Sequence, residues 1–299
     1  MIVGLSGMSG ATAFFWVIKK AGIFEKYGLN AILLFDRKVE EKIASGQFPF
    51  GFVGAASLVA ARLRGDQITL IAGGANTMPY ALITAKEIKN PEQLRNKTII
   101  VDRKDGSGYF AICYILQKLG LDPDKDVTIK SVGNQPSRFT ALKGGRIDGT
   151  VLTPPLTISA QKLGFNLLLG MEKTGLEYQH TGLAAKPSFL KEQPETAKNF
   201  LKAYLEGIWY LKTHKRESLE VMSAFIKTDD QEALEETYRE FALKIIPQKP
   251  YPTLKGIQLV LNQVSAKNPK AQTAKPEDFV DTSLLEEIDQ SGFIDQLYN

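Results

Sequence analysis

Short apolar runs alternate with amphipathic stretches along the first part of the chain. Residues Ile2–Leu5 have the length and composition of a strand, and residues 12–20 carry apolar side chains at the spacing of one helix face. Further strand-like runs at residues 31–35, 50–53 and 68–72 are separated by segments with helical spacing. Strands that alternate with helices predict a parallel sheet flanked by helices, so we expect an α/β fold.

The same order of elements returns about 98 residues later. Ser9-Gly10 has its counterpart in Ser107-Gly108, and Lys20-Ala21-Gly22-Ile23 has its counterpart in Lys118-Leu119-Gly120-Leu121. A period of this size is the length of a domain, so the repeat predicts two similar lobes in tandem. Small ligands bind preferentially in clefts between domains, and the cleft between the lobes is the expected binding site.

Two segments indicate where the chain crosses between the lobes. Residues 80–85 and 181–185 are interpreted as extended links that act as hinges. The remainder of the chain is largely helical, and we expect it to pack on the first lobe. The predicted domains are residues 1–82 together with 184–299 for lobe one, and residues 83–183 for lobe two.

Composition and charge exclude several classes of function. The 299 residues are 43% hydrophobic, which suits two globular domains. The net charge is +4, and Lys and Arg alternate with acidic residues rather than forming a stripe, so nucleic acid is not an expected partner. Because Cys113 is the single cysteine, an internal disulfide and a multi-cysteine metal site are excluded. No cofactor and no metal is expected.

The cellular location has two interpretations at this point. No apolar run approaches the roughly 18 residues that a membrane-spanning helix needs. Met1 stands directly before the first predicted strand, without a signal peptide. We therefore expect either a cytoplasmic protein or an exported protein whose leader has been removed.

The turns that follow equivalent strands supply the candidate ligand contacts. In parallel sheets, ligands bind beyond the carboxyl ends of the strands, where helix N-termini present N–H groups to anionic or polar ligands. The same glycines and hydroxyls also serve turn and cap geometry, and this alternative stays open for each residue. The predicted contacts are Ser9, Gly10, Ala11, Thr12, Ala55, Ser57 and Asn76 in lobe one, Ser107, Gly108, Tyr109, Thr153 and Pro154 in lobe two, and His180 at the hinge.

Three other observations concern residues with chemically versatile side chains. His180 either donates to a ligand or has a structural role. Arg138 either reaches an anion from the start of its helix or is an exposed helix-end arginine. Cys113 lies on an apolar helix face with Phe110 and Leu116, which predicts a packed thiol rather than a nucleophile. No catalytic residue is predicted.

Several phrases in combination resemble one protein family. They are Ala21-Gly22-Ile23-Phe24 after the first turn, Gly145-Arg146-Ile147-Asp148-Gly149, the strand 97–101 before Gly106-Ser107-Gly108, and the ending Pro276-Glu277-Asp278-Phe279 with Ser291-Gly292-Phe293. The chain is similar in these phrases to the type 2 periplasmic solute-binding proteins of ABC importers, in the nitrate, sulfonate and taurine branch with its thiamine-precursor members. Pro49 departs from the pattern, because the family often has an acid at that place.

The resemblance implies both a fold and a function. The fold would be the two-lobed α/β type 2 periplasmic-binding-protein fold, in which each lobe has a mainly parallel sheet flanked by helices. The protein would be a monomeric receptor that captures a small polar or anionic organic molecule (a sulfonate, carboxylate or heterocycle) in the interlobe cleft by hinge closure. Its partners would be this solute and the membrane permease of an ABC importer. Its location would be the periplasm or the outer face of the cytoplasmic membrane, with the export signal removed.

An enzyme on the same fold is the alternative. The fold also resembles cytoplasmic enzymes that form thiamine precursors or act in menaquinone assembly. The thiamine-precursor enzymes carry a cysteine-rich iron site, which Cys113 alone does not supply. The menaquinone enzymes act on a small carboxylated ring compound, and His180 is the only histidine placed for such lyase-type chemistry. A transcription-factor effector domain would need a helix-turn-helix, which the sequence lacks.

Overall fold

Two units, each with its own sheet, make up the chain in the computed structural model, which describes residues 1–7, 10–102, 106–226, 228–265 and 268–299. Unit 1 consists of Met1–Asn76, Glu177–Asp229 and Tyr238–Asn299. Unit 2 consists of Thr77–Leu176 and Asp230–Thr237.

A five-stranded mixed sheet organises unit 1. Its strands are β1 (Ile2–Leu5), β2 (Ile32–Phe35), β3 (Phe50–Gly54), β4 (Thr69–Gly73) and β10 (Thr181–Ala185), in the order β2-β1-β3-β10-β4. β1 pairs in parallel with β2 and β3, whereas β10 pairs antiparallel with β3 and β4. Four of the five strands therefore run in one direction.

The sheet of unit 2 has the same design. Its strands are β5 (Ala81–Thr84), β6 (Lys97–Val101), β7 (Val127–Ser131), β8 (Gly149–Leu152) and β9 (Asn166–Gly170), in the order β7-β6-β8-β5-β9. β6 pairs in parallel with β7 and β8, and β5 pairs antiparallel with β8 and β9. The strand order matches that of unit 1 position by position, so the repeat seen in the sequence is also a repeat of topology.

The two segments predicted as extended links that act as hinges are strands of the two sheets. Each of them, β5 and β10, lies between two neighbours and runs against both. Their side chains are small or apolar and mostly buried. Gly182 illustrates the tight fit, because a Cβ there would lie 2.7 Å from the Leu70 side chain and 2.8 Å from the Ala72 carbonyl. The predicted α/β class with mainly parallel sheets is confirmed.

Helices follow the strands as the alternating pattern predicts. For example, α4 begins directly after β3 and ends at Gly65, whose φ of 109° suits a residue without a Cβ. Unit 1 has α1 (Gly10–Lys20), α2 (Ile23–Lys26), α3 (Val39–Ala44) and α4 (Ala55–Arg64), and unit 2 has α5 (Ser107–Lys118), α6 (Gln135–Lys143) and α7 (Leu156–Lys162).

Most of the helical tail packs on unit 1, as expected. α9 contacts α1 and α13, α10 contacts α1, and α12 contacts α4. Residues Asp230–Thr237 are an exception and belong to unit 2, where the Lys162 ammonium donates to Asp230 Oδ1 at 2.6 Å. The tail helices are α8 (Pro187–Glu192), α9 (Pro194–Thr213), α10 (Lys215–Ile226), α11 (Gln231–Tyr238), α12 (Leu254–Ser265), α13 (Ser283–Gln290) and α14 (Phe293–Tyr298), with a π-helical turn at Arg239–Ile245.

Aromatic stacking joins α9 to the rest of unit 1. The fully buried Phe200 stacks on Phe50 of β3 with ring centroids 4.1 Å apart and on Phe24 of α2 at 5.7 Å. Gly207 allows α9 to approach α1, because a Cβ at this position would lie 2.3 Å from Ile18 Cγ1. Within the described ranges, no helix combines the length and apolar character needed to cross a membrane.

Candidate functional site

The carboxyl ends of β3 and β4 lie at one edge of the unit 1 sheet, next to the start of β10. Thr181 of β10 pairs with Gly54 of β3, so the residue before β10 lies beside the residue after β3. The Ala55 N–H donates to the His180 carbonyl at 3.0 Å, and the His180 N–H donates to the Ala75 carbonyl at 2.9 Å. Two of the predicted contacts, Ala55 and His180, are therefore adjacent at this edge.

Asn76 is held at the same edge. The Tyr178 N–H donates to the Asn76 carbonyl at 3.1 Å, and Asn76 Nδ2 donates to the Tyr251 carbonyl at 3.0 Å. Asn76 Oδ1 is buried and has no hydrogen-bond partner among the described residues. A buried acceptor without a partner costs free energy, so this side chain has one unmet acceptor.

The N-terminus of α4 adds backbone donors to the unit 1 edge. The N-cap residue is Gly54, which has no side chain to accept a hydrogen bond. The N–H groups of the first turn of α4 therefore receive no side-chain cap. Ser57, in the first turn, hydrogen-bonds the side chain of Glu40 on α3. Burial raises the pKa of Glu40, and hydrogen bonds from its own backbone N–H and from Ser57 offset part of that rise. Glu40 was not predicted, because an acid in a first helical turn is ordinary.

The predicted contacts around the first turn are only partly described. Ser9 lies outside the described residues. Gly10 and Ala11 are the first two residues of α1. Thr12 is 4% exposed, so its side chain lies inside unit 1 rather than on an open surface.

His180 is neutral at physiological pH. Desolvation lowers its pKa from 6.5 to about 4. A neutral imidazole donates through one ring nitrogen and accepts through the other. A neutral imidazole is compatible with both interpretations of His180, as a donor to a ligand and as a structural residue.

We expect the free energy of unfolding to fall as the pH is lowered from about 6.5 to about 4. Below its ordinary pKa of 6.5, His180 takes up a proton in the unfolded chain, whereas in the folded protein it does so only near pH 4. The lost stability is about 2–3 kcal/mol. Denaturant titrations of the wild type and His180→Asn at several pH values in this range measure the effect. The free energy of unfolding should fall less steeply with decreasing pH in the variant. The same dependence on pH in both proteins would contradict the assignment.

The corresponding edge of unit 2 brings together Tyr80 and Ser107. Tyr80 precedes β5 and Ser107 begins α5, and their hydroxyl oxygens lie 3.0 Å apart in a hydrogen bond. Gly108 follows in the first turn of α5, where a Cβ would lie 2.8 Å from Asp102 Oδ1. The glycine therefore makes room for the Asp102 carboxylate, a residue that was not predicted at the site.

Tyr109 is engaged with Cys113 one turn further along α5. Burial raises the pKa of Tyr109 to about 12, and Cys113 contributes to that rise. Burial also raises the pKa of the Cys113 thiol, although the hydrogen bond with Tyr109 offsets part of the change. A protonated, half-buried thiol agrees with the predicted packing role. The described residues contain no group of three His, Cys, Asp or Glu side chains that could hold a metal ion.

The turn after β8 is tied to the start of α6. The Thr153 N–H and hydroxyl donate to Gln135 Oε1 at 2.8 and 3.2 Å. Pro154 follows, and its peptide bond to Pro155 is cis. Gln135 was not predicted, because in the sequence it is only a polar residue at a helix start.

Arg138 on α6 is buried at this edge. It is 3% exposed, so the interpretation as an exposed helix-end arginine is wrong. Its Nε donates to Thr150 Oγ1 at 3.1 Å, Nη1 donates to the Gly133 carbonyl at 3.0 Å, and Nη2 donates to the Val151 carbonyl at 3.3 Å. These bonds fix the guanidinium against the carboxyl ends of β7 and β8.

The three hydrogen-bond acceptors of Arg138 are all uncharged. Burial lowers the pKa of Arg138, and the nearby charge of Asp102 offsets part of that shift. A buried cation with uncharged acceptors carries a desolvation cost that a bound anion would reduce. Arg138 is therefore a buried cation whose charge is balanced only in part, by Asp102.

The family follows from comparison with known proteins. The profile of the family described as NMT1/THI5 like matches residues 11–218. The chain belongs to this family. The resemblance drawn from the Gly145-Arg146-Ile147-Asp148-Gly149 phrase and its companions is thereby confirmed.

Two curated relatives share low sequence identity with this NMT1/THI5-like protein. The putative binding protein YtlA of Bacillus subtilis is 23% identical over 214 residues, covering 68% of this chain and 64% of the relative. The riboflavin-binding protein RibY of Chloroflexus aurantiacus is 20% identical over 220 residues, covering 71% of this chain and 62% of the relative. The chain therefore spans less than two thirds of the length of these relatives.

Solved structures share the fold over nearly the whole chain. The periplasmic aliphatic sulphonate binding protein SsuA of Escherichia coli superposes with a TM-score of 0.75 at 12% identity, covering 95% of this chain and 98% of the other. The periplasmic nitrate-binding protein NrtA of Synechocystis PCC 6803 superposes with a TM-score of 0.77 at 13% identity, covering 97% of this chain and 88% of the other. The desulfurization enzyme DszB superposes with a TM-score of 0.74 at 11% identity, covering 97% of this chain and 99% of the other. The fold therefore occurs in both binding proteins and an enzyme.

Proposed function

We propose that this protein is the solute-binding component of an ABC import system and that it captures a small organic anion. The observation that supports an anionic ligand is Arg138, a residue that is 3% exposed, donates to three uncharged acceptors and has only the nearby charge of Asp102 to balance it in part. Family membership and the fold shared with SsuA and NrtA support the transport role. The ligands named for the relatives differ among themselves, so the charge of the solute is argued from Arg138 alone.

The anionic group of the solute would bind at the edge of unit 2. Arg138 supplies the charge, and the first turn of α5 supplies backbone N–H groups whose N-cap, Gly106, makes no side-chain cap bond. The paired hydroxyls of Tyr80 and Ser107 can add one donor to an oxyanion. The Asp102 carboxylate lies beside Gly108 and offsets part of the charge of Arg138, so the anion would bind on the side of Arg138 away from Asp102. Together these groups would orient a carboxylate or sulfonate.

The rest of the solute would contact the edge of unit 1. The first turn of α4, the Ser57 hydroxyl and the neutral imidazole of His180 offer both donors and acceptors there. Asn76 has an unmet acceptor at the same edge. In this proposal the contacts predicted from the sequence remain the contact set, except for the buried side chain of Thr12, and Arg138 is added to it.

Capture would involve hinge closure of the two units around the solute. The chain passes from one unit to the other after Asn76 and again after Leu176, next to β5 and β10. Closure would remove water from the solute and bring both edges onto it, and the higher affinity of the closed state would drive the change. The closed form would then dock on the membrane permease. The site of action would be the periplasm or the outer face of the cytoplasmic membrane.

The alternative is an enzyme on the same fold. The observation that supports this alternative is the structural similarity to DszB. The protonated thiol of Cys113 and the neutral His180 lie on different units, Cys113 on unit 2 and His180 on unit 1. Recovery of the bound compound unchanged after long incubation supports the receptor. Conversion of that compound would support the enzyme instead.

A thermal-shift screen over small carboxylates, sulfonates and neutral analogues tests the proposed receptor. A ligand that binds only the folded state raises the Tm by mass action. At a ligand concentration one hundred times Kd, the free energy of unfolding rises by about 2.7 kcal/mol. We expect anionic compounds to raise the Tm and their neutral amides or esters to have little effect. Ser107→Ala should weaken the best hit about tenfold, because it removes a hydroxyl at the anion site. Shifts confined to neutral compounds would overturn the proposal.

A further inference from the structure

A cavity of about 580 Å³ lies on unit 1 between α1, α9 and α10. This volume is within the usual range for small-molecule sites. The cavity is lined by the second half of α1. Trp16, the first lining residue on this helix, lies roughly 9 Å along the helix axis from Gly10, where α1 begins. It is therefore separate from the edge used in the proposed function. Its chemically notable lining residues are Trp16, Lys20, Tyr210, Glu217, Glu220 and Phe225.

The aromatic walls of this cavity are held in place by other rings. Trp16 stacks on Phe35 with centroids 5.5 Å apart and contacts Phe225 at 5.4 Å. Tyr210 stacks face to face on His214 at 3.9 Å, with an angle of 3° between the rings. Rings fixed in this way lose little conformational freedom when a ligand binds. Their π-faces attract cations, most strongly that of tryptophan.

The charged lining residues favour a cation. Glu217 and Glu220 are three residues apart on α10 and therefore lie on the same side of that helix. The pKa of Glu217 is lowered by its own backbone N–H and by the neighbouring charges of Arg216 and His214, so it is ionised. The lining itself holds two carboxylates and one ammonium group, that of Lys20. Outside the lining, Arg216 Nη2 donates to Glu217 Oε1 at 3.4 Å, so Glu220 is the carboxylate on which the preference for a cation mainly rests.

We propose that this cavity binds a small organic cation with an apolar body, such as an alkylammonium or arylammonium compound. The apolar body would lie against Trp16 and Phe225, and the ammonium group would lie on the side of Glu217 and Glu220. An anion would be repelled by the two carboxylates. A neutral compound of the same shape would gain the apolar contact but neither the cation–π nor the charge attraction.

Tryptophan fluorescence provides a direct test. The chain has two tryptophans, so Trp209→Phe leaves Trp16 as the sole reporter. We expect benzyltrimethylammonium to change the Trp16 emission saturably at constant ionic strength. Benzyl alcohol should bind at least about tenfold more weakly, and benzoate should not saturate below roughly 10 mM. Equal binding of benzoate, or no saturable change with the cation up to about 10 mM, would overturn the proposal.

Charge variants should change the affinity for benzyltrimethylammonium in opposite directions. Glu217→Gln with Glu220→Gln should weaken benzyltrimethylammonium about tenfold, whereas Lys20→Gln should tighten it about threefold. Glu277→Gln removes an exposed carboxylate elsewhere on unit 1 and should change nothing. Arg138→Met should also leave this affinity unchanged, which separates the cavity from the proposed solute site. An unchanged affinity in the double glutamine variant would refute the charge argument.

Discussion

Arg138→Met is expected to weaken binding of the organic anion selected by thermal shift roughly 100-fold or more. Arg138 as a whole is 3% exposed, so the attraction of its charge for an anion is only weakly screened by water or salt. Truncating one partner of a desolvated charge pair typically costs about 2–5 kcal/mol, because the other charge is left unpaired. Isothermal titration calorimetry measures the Kd of both proteins.

The controls for Arg138 separate charge from folding. Arg138→Lys retains the charge but loses the planar fork that reaches Thr150 and the Gly133 carbonyl, so an intermediate loss of about tenfold is expected. Arg146→Met removes an exposed arginine from the same unit and should leave Kd unchanged. The neutral amide of the ligand should bind wild type and Arg138→Met equally. If the amide and the anion lose the same factor, Arg138 acts only through the structure of unit 2.

Phe200→Ala is expected to lower the free energy of unfolding by about 3–5 kcal/mol. Phe200 is fully buried, and its ring stacks on both Phe50 and Phe24. Removing the ring therefore deletes apolar burial and leaves a cavity where α9, α2 and β3 meet. Those neighbours belong to a sheet and two helices, so the site has little freedom to collapse. Equilibrium denaturation in urea measures the change.

Leu243→Ala is the matched control for Phe200→Ala. Leu243 is 54% exposed, so its truncation should change stability by less than about 0.5 kcal/mol. A loss below about 1 kcal/mol in Phe200→Ala would show that α9 contributes little to the core of unit 1. Far-ultraviolet circular dichroism of both variants should match the wild type before denaturation.

The fold was largely predictable because its signals are local. Strand and helix spacing before residue 72, and the return of the same phrases about 98 residues later, predicted repeated α/β units. The antiparallel strands β5 and β10 were not predicted as strands of these sheets. A run of four or five buried residues has no periodicity that reveals direction or partners. Their positions depend on pairing with strands that are distant in sequence.

The site was predictable only in outline. Turns after strands predicted the segments around Ala55 and Ser107, and the predicted hinge indicated His180. The structure gives these three residues backbone or hydroxyl partners at the strand ends. The sequence did not distinguish Arg138 and Glu40 from the other charged residues of the chain. Each lies in the first half of a short helix, where charged residues are common, and their burial comes from other elements of the fold.

The sequence by itself determined the α/β class, the tandem repeat and the turns that end the strands, because each of these follows from the spacing of neighbouring residues. Only the tertiary structure decided which charges are buried. Arg138 loses its water because Gly133, Thr150 and Val151 surround it, and the last two belong to a strand that pairs with β6 and β5. Burial is a property of neighbours brought together by folding, so no local pattern records it.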